Sequence, residues 1–390
     1  MKIAFFTFAI LEHGGGLEKY FIDTSIGLKK NFPELDISII TLDEKMSERL
    51  LGCLSLFYLK KIDRNIIYKE KTSTIIKKLE NIKYIKCDSF KSLKNELKKY
   101  DVIYSKNEIL ESFILKLLLK YNNLPPVIFS VSTAHFYPVT NDLFSKLHNF
   151  LYSSKFYNFL TSGVCCFHTI NEESLNMLKR QFPQKKVVKI YYPFESEEFI
   201  FKSKKNKYDF DFDNSKFNVV FSGRLEAQKG IKDLIYIIDS INKTRYGNKI
   251  IWNICGDGIY RNKVLELEKR WNNVNYHGHV ENNLIGNILS QNNLFIFTSK
   301  WETLGFSVVE ALCLDLPVIA FNIAGPNDLI EHNKNGLLVE SVEEFIKGIK
   351  DFVDGKYHFE NISKSIKEKL EPIKIYNELY ELFKVCKKEN

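Results

Sequence analysis

The 390-residue sequence has no CxxC pair among its seven cysteines (Cys53, Cys87, Cys165, Cys166, Cys255, Cys313 and Cys386), and an odd count excludes a fully paired disulfide framework as well as a zinc ribbon. Reduced, mostly buried thiols in a cytoplasmic protein are the expectation. No run of eighteen apolar residues occurs, which excludes a membrane-spanning helix. The opening stretch 1–11 lacks a small-residue cleavage site and runs into glycines, so a first buried strand is expected there rather than a leader. The dinucleotide fingerprint is incomplete too. After that strand comes His13-Gly14-Gly15-Gly16-Leu17-Glu18-Lys19, with a lysine where GxGxxG requires its third glycine.

What remains is globular. A composition of 45% hydrophobic and 27% charged residues is that of a folded protein, and the length points to two domains. The net charge of +8 is uneven: between Lys60 and Lys99 thirteen Lys or Arg stand against five Asp or Glu, an excess equal to that of the whole chain. Such a stretch is either a solvated helical face or a surface that meets anionic lipid headgroups. It carries no nucleic-acid reader motif, so no nucleic-acid partner is expected.

Short apolar runs bounded by turn residues recur at 36–41, 100–104, 127–131, 164–169 and 187–193, with helical patterns between them. Strands alternating with helices imply a parallel sheet with helices on both faces. The run at 127–131 leads to His135, at the strand edge where such sheets bind ligands, although a lone histidine is also an ordinary structural residue. Composition turns polar between Glu195 and Lys216, which reads as a linker. A second alternation follows. Strand 217–222 runs into Gly223-Arg224-Leu225, with Lys229 five residues beyond Arg224, so that an Arg fork and a Lys point charge can share one diphosphate. Strand 252–255 ends in Gly256-Asp257-Gly258. His277 and His279 alternate on a strand, but a metal site would need a third ligand.

The densest signal is Trp301-Glu302-Thr303-Leu304-Gly305-Phe306-Ser307-Val308-Val309-Glu310. A buried strand at 294–298 precedes it and a helix begins at Phe306, so Glu302 lies on the loop at the sheet's carboxyl edge and Glu310 in the helix. The helix start suits a diphosphate, and each carboxylate can accept bonds from vicinal hydroxyls. Taken singly, each glutamate could equally be a surface residue.

Together these elements resemble the retaining glycosyltransferase family four, of two-domain GT-B architecture, over nearly the whole chain and most strongly from Phe221 to Leu338. The carrying motifs are Glu-x7-Glu at Glu302 and Glu310, Gly-Arg-Leu-x-x-x-Lys-Gly from Gly223 to Gly230, and Gly-x-Gly at Gly256 and Gly258. Leu316-Pro317-Val318-Ile319-Ala320, Gly325-Pro326 and Asn335-Gly336-Leu337-Leu338-Val339 complete the pattern. Two positions depart from it: Asp315 replaces a usual glycine and Tyr192 a common asparagine.

The resemblance implies an α/β fold of two doubly wound Rossmann-like domains facing each other across a cleft. Residues 1–195 would be the acceptor side, 196–216 a linker, 217–360 the nucleotide-sugar domain, and 361–390 a helical segment packing back towards the first domain. Arg224 and Lys229 would neutralise the donor diphosphate, Glu310 hold the ribose, Glu302 contact the transferred sugar and His135 meet it near the reacting carbon. Gly15 and Gly16 would approach phosphate and acceptor, with Gly223, Gly256, Gly258, Leu304, Gly305 and Phe306 completing the donor site.

The implied reaction is retaining transfer from a nucleotide diphosphate sugar to a glycan or lipid-linked acceptor, as in surface polysaccharide assembly. No cofactor or metal is implied, and Asp209-Phe210-Asp211-Phe212-Asp213 is read as a charge-balancing stretch rather than a metal-binding Asp-x-Asp. The expected location is cytoplasmic, peripheral at the inner face of the membrane through the Lys60 to Lys99 region. Two other functions share the architecture: a sugar-nucleotide epimerase, and a non-catalytic nucleotide-sugar binder.

Overall fold

The computed structural model describes residues 1–8, 16–47, 49, 79, 82–106, 108–131, 143–210 and 212–388. Two compact units divide the chain, one of Met1–Pro193 with Pro372–Asn390 and one of Phe194–Glu371.

The first unit is built on seven parallel strands, β1 (Lys2–Phe6), β2 (Asp36–Leu42), β3 (Lys83–Cys87), β4 (Val102–Lys106), β5 (Val127–Val131), β6 (Cys166–Thr169) and β7 (Lys186–Lys189), in the spatial order 3-2-1-4-5-6-7. The second holds six, β8 (Phe217–Ser222), β9 (Ile250–Cys255), β10 (Val274–Gly278), β11 (Leu294–Phe297), β12 (Val318–Phe321) and β13 (Gly336–Val339), in the order 10-9-8-11-12-13. Both are doubly wound α/β sheets, as the alternating pattern implies. Central strands such as β5, β11 and β12 are buried at every residue. A strand covered on both faces has no polar side to display, hence the unbroken Val, Ile, Leu and Phe runs. The edge strands β3 and β10 are the more exposed ones. Strand order reverses between β1 and β4 and between β8 and β11, which places each sheet's ligand-binding crevice beyond the carboxyl ends of those pairs.

Two boundaries differ from the sequence reading. The stretch read as a linker carries the helix Ser196–Lys205, which belongs to the second unit. Its Phe199 and Ser203, one turn apart, press on Gly286 of the helix Asn282–Leu289, where an added Cβ would stand 2.8 Å from Ser203 and 3.2 Å from the Phe199 ring. The amide of Tyr208 donates to Asn287 at 2.9 Å. Lysines and glutamates on the outward face dominate the composition and hide this narrow packing stripe. At the other end, the helix Ile362–Lys369 stays with the second unit, and only Pro372–Lys388 joins the first. There Phe383 meets Phe5 and Tyr104 edge-on, and the Tyr376 ring covers Gly27. Of the basic stretch, residues 60–78, 80 and 81 lie outside the described residues; the rest forms β3 and the helix Phe90–Leu97.

Both departures from the family pattern have local explanations. Asp315 takes a left-handed φ of 56°, which Asp tolerates better than most residues, and its carboxylate accepts from the Ser363 amide at 2.8 Å. Tyr192 stacks on Tyr20 with ring centres 3.7 Å apart.

Two of the buried titratable groups described in the first unit, His168 and Glu111, carry shifts that bear on stability near neutral pH. Tyr104 bonds Tyr20 at 2.9 Å and His168 Nδ1 at 2.6 Å, and His168 Nε2 faces the Ile190 carbonyl at 2.7 Å. A carbonyl only accepts, so Nε2 carries the proton and Nδ1 accepts from Tyr104. Burial holds the His168 imidazole at about 4. Glu111, fully buried beside the ends of β1 and β4, accepts from the Thr7 hydroxyl at 3.3 Å and the Phe8 amide at 3.4 Å. Burial raises its carboxyl to about 7.

These groups act on stability with opposite signs. The depressed His168 contributes stability that is present above the unfolded histidine value and is lost as pH falls towards 4. The raised Glu111 contributes stability that is present below the unfolded glutamate value and is lost as pH rises towards 7. Urea unfolding measured from pH 5 to 7 is therefore expected to diverge in the single variants. In Glu111→Gln stability rises with pH, and in His168→Gln it falls, each on the order of 2 kcal/mol over that interval.

Candidate active site

The candidate site is assembled at the switch point of the second sheet. Beyond β8 the chain folds against the loop after β9: the Gly223 amide donates to the Cys255 carbonyl at 3.1 Å and the Leu225 amide to that of Asp257 at 2.9 Å. Gly256, at φ +137°, makes this approach feasible, because a Cβ there would stand 1.8 Å from the Gly223 carbonyl oxygen. The Gly258 amide is turned to the Asp257 carboxylate at 2.7 Å. The glycine pair thus has a packing reason of its own.

The turn after β8 is then joined to the loop after β11. The Lys300 amide donates to the Gln228 carbonyl at 2.8 Å, and the Thr298 hydroxyl to that of Lys229 at 2.8 Å. Side chains follow the same seam. Arg224 gives Nη1 to Glu226 at 2.8 Å and Nη2 to Gln228 at 3.1 Å, and Gln228 donates to the Trp301 carbonyl at 3.3 Å. Lys229 Nζ meets Glu302 Oε2 at 2.5 Å and lies 5.4 Å from the centre of the Phe297 ring. The Lys229 and Glu302 side chains keep only 16% and 15% of their exposure, whereas Arg224 keeps 62%. Removing either member of so enclosed a pair leaves the other uncompensated, a larger effect than at an exposed ion pair.

The Thr303 amide donates to the second oxygen of Glu302 at 3.1 Å. Gly305 then turns with φ +89° into the helix Phe306–Cys313, its carbonyl accepting from Val308 at 2.9 Å. Leu304 is buried, Phe306 is 44% exposed, and Glu310 is half-buried. This first turn brings backbone amides and the positive end of the helix beside the Lys229 and Glu302 pair. Chemically the corner combines an exposed guanidinium, an ammonium already held by a carboxylate, and a helix start. Such a set can receive a polyanion next to hydroxyl-bearing groups.

The sequence-predicted residues fall into three groups. Arg224, Lys229 and Glu302 are joined in the seam, with Leu304, Gly305, Phe306 and Glu310 continuing it along the chain. Gly223, Gly256 and Gly258 form the adjoining loops. In the first unit Gly16 opens the helix Gly16–Asn31, while Gly15 and His135 lie outside the described residues. Sequence reasoning missed Gln228, which spans from Arg224 to Trp301, and Phe297 beneath Lys229. The four-residue offset from Arg224 was a usable signal for Gln228; nothing local marks Phe297.

Among the described residues no group of three or more His, Cys, Asp or Glu side chains could hold a metal ion. His277, at the edge of the sheet, instead sits against the rings of Phe210 (4.6 Å between centres) and Phe212 (6.2 Å), and burial holds it at about 4. His279 is exposed. The aromatic members of the Asp209 to Asp213 stretch therefore pack on β10, while Asp213 accepts from the Ser215 hydroxyl at 2.5 Å; Asp211 lies outside the described residues.

Replacing Gly256 by alanine is expected to cost about 3 kcal/mol or more, since both the backbone conformation and the 1.8 Å approach oppose a side chain. Denaturant unfolding checks this, and wild-type stability in Gly256→Ala would contradict the geometry.

With that geometry in place, residues 202–369 match the family described as glycosyl transferases group 1. An uncharacterised 41.2 kDa protein of the cps region of Klebsiella pneumoniae is 33% identical over 150 residues, 38% of this chain and 39% of that protein. The alpha-D-kanosaminyltransferase of Streptomyces kanamyceticus is 29% identical over 124 residues, 31% of this chain and 32% of that enzyme. The match thus spans between 32% and 39% of the length of these curated relatives. Among solved structures, Anabaena HepE in complex with UDP superposes with a TM-score of 0.70 at 16% identity, covering 99% of this chain and all of that one.

Proposed function

We propose that this chain, a member of the group 1 glycosyl transferases with the GT-B fold, transfers a sugar from a nucleotide diphosphate donor to a glycan or lipid-linked acceptor with retention of anomeric configuration. The observation that carries the reading is the Lys229 and Glu302 pair, set beside Arg224 and the start of the helix Phe306–Cys313. Glu302 holds the ammonium that a donor diphosphate would claim. Donor binding then exchanges partners: the β-phosphate takes Lys229, and Glu302 is released to accept from the hydroxyls of the incoming sugar. Arg224, exposed and loosely held by Glu226 and Gln228, closes on the same phosphates. Glu310 receives the ribose.

As the glycosidic bond breaks, negative charge grows on the leaving diphosphate, where Arg224, Lys229 and the helix amides are already placed. Attack from the face that the diphosphate leaves preserves configuration without a protein nucleophile, and Glu302 has no covalent role. These two cations also do what a divalent metal would do at the leaving group. Transfer is therefore expected to persist in excess chelator and in Asp209→Ala with Asp211→Ala. Surface polysaccharide assembly, at the cytoplasmic face of the membrane, is the setting in which both acceptor classes occur.

Arg224→Ala and Lys229→Ala are each expected to lose about 2–4 kcal/mol of transition-state stabilisation, read from kcat/KM. Unchanged kinetics in either would remove it from the site. Glu302→Gln lowers kcat while KM stays level or falls, because Lys229 is freed for the phosphates. Glu310→Gln instead raises KM, since the ribose is bound alike in ground and transition states. Steady-state kinetics on the two variants decide between these roles, and the reverse pattern would exchange them.

A further inference from the structure

Seven of the twelve large apolar side chains exposed among the described residues fall between positions 113 and 159: Phe113, Leu117, Leu118, Leu147, Phe150, Phe156 and Phe159. They come from neighbouring elements of the first unit: the helix Ile109–Phe113 with its π-helical continuation Ile114–Leu119, the helix Leu143–Ser153, and the helix Lys155–Leu160. Ile109–Phe113 and Leu143–Ser153 both pack on Lys155–Leu160. Lys116 ties the group together, donating to Ser162 at 2.7 Å while lying 4.8 Å from the Phe159 ring centre.

Each element already has an inward apolar face in the core, carried by Leu115, Tyr152 and Tyr157. A second apolar face therefore points outward. Phe150 is 69% exposed and Phe156 and Phe159 are each 50% exposed, more than scattered surface residues account for.

Basic side chains predominate along this stretch, although Glu108, just before its first helix, accepts from the Tyr152 hydroxyl at 2.9 Å. From Ser112 to Asn171 the sequence contains Lys116, Lys120, Lys146 and Lys155 but only one carboxylate, Asp142. Lys120, Lys146 and Lys155 are exposed. Phenylalanines and leucines rimmed by long cations, with almost no acids, match a bilayer interface: rings enter the headgroup and acyl boundary while lysines reach the phosphates. A second copy seated face to face would set lysine against lysine, and among the described residues the helices carry too few acids to complement a basic partner.

We infer that this face docks the protein on an anionic phospholipid bilayer by inserting Phe150, Phe156 and Phe159, with Lys120, Lys146 and Lys155 engaging lipid phosphates. The inference deepens the lipid-linked reading of the acceptor and rests on it only for its purpose. Lipid binding is read without any sugar transfer, so the two fail separately.

Flotation of the full chain with phosphatidylcholine vesicles, and with vesicles containing phosphatidylglycerol, is the test. Wild type is expected to float with the anionic vesicles at low salt and only weakly with the neutral ones. Phe150→Ser with Phe156→Ser and Phe159→Ser is expected to lower the bound fraction roughly tenfold or more at an unchanged melting temperature. Should that variant melt early, Lys120→Gln with Lys146→Gln and Lys155→Gln is expected to give a comparable loss and to weaken the salt dependence. Three results overturn the inference: no binding of wild type to anionic vesicles at low salt; undiminished binding by the folded variants, with loss instead in Lys60→Gln plus Lys61→Gln; or a wild-type dimer that the serine variant dissociates, which makes the face an interface between copies.

Discussion

The seam between the turn after β8 and the loop after β11 is the constraint on which the second unit's chemistry depends. Its bonds, from the Lys300 amide to the Gln228 carbonyl and from the Thr298 hydroxyl to the Lys229 carbonyl, fix two loops from strands that are neighbours in space but far apart in sequence. Only with those loops fixed can Lys229 and Glu302 meet in partly desolvated surroundings, where one charge without the other is costly. The same enclosure makes the pair a poised exchange site, since a polyanion that brings its own hydroxyls can satisfy both members at once. Gly256 serves the seam from behind by letting the third loop close in.

The first unit works under a different constraint. Its sheet buries polar groups that must be satisfied internally, and the run from Tyr20 through Tyr104 to His168 and Ile190 does so with one proton order. Glu111 occupies the corresponding switch point of this sheet, beside the ends of β1 and β4, and burial raises its carboxyl to about 7. The opposed titrations of His168 and Glu111 leave the unit's stability less sensitive to pH than either group alone would.

What the sequence revealed and what it hid follow from the range of the interactions. Central strands were legible because a strand buried on both faces writes its environment into consecutive residues, as in Leu294 to Phe297. Arg224, Lys229, Glu302 and Glu310 were legible because their spacing is fixed by a strand, a turn and a helix in succession. The helix Ser196–Lys205 was not, because two packing residues among many charges leave little periodic trace. His168 and Phe297 acquire their surroundings from distant strands, and nothing adjacent in the chain announces them. Asp315 stands out in the sequence as a departure, but its bond to Ser363 requires the later helix to be in place.

The central proposal is that the Lys229 and Glu302 corner exchanges its internal ion pair for a donor diphosphate and drives acceptor-dependent transfer. The most direct measurement is release of nucleoside diphosphate from a panel of nucleotide sugars, with and without glycan or lipid-linked acceptors, in wild type and in Lys229→Ala. Release that requires acceptor, gives a product of unchanged anomeric configuration and collapses in Lys229→Ala is the predicted result. Donor epimerised without acceptor, or release indifferent to Lys229, would contradict it.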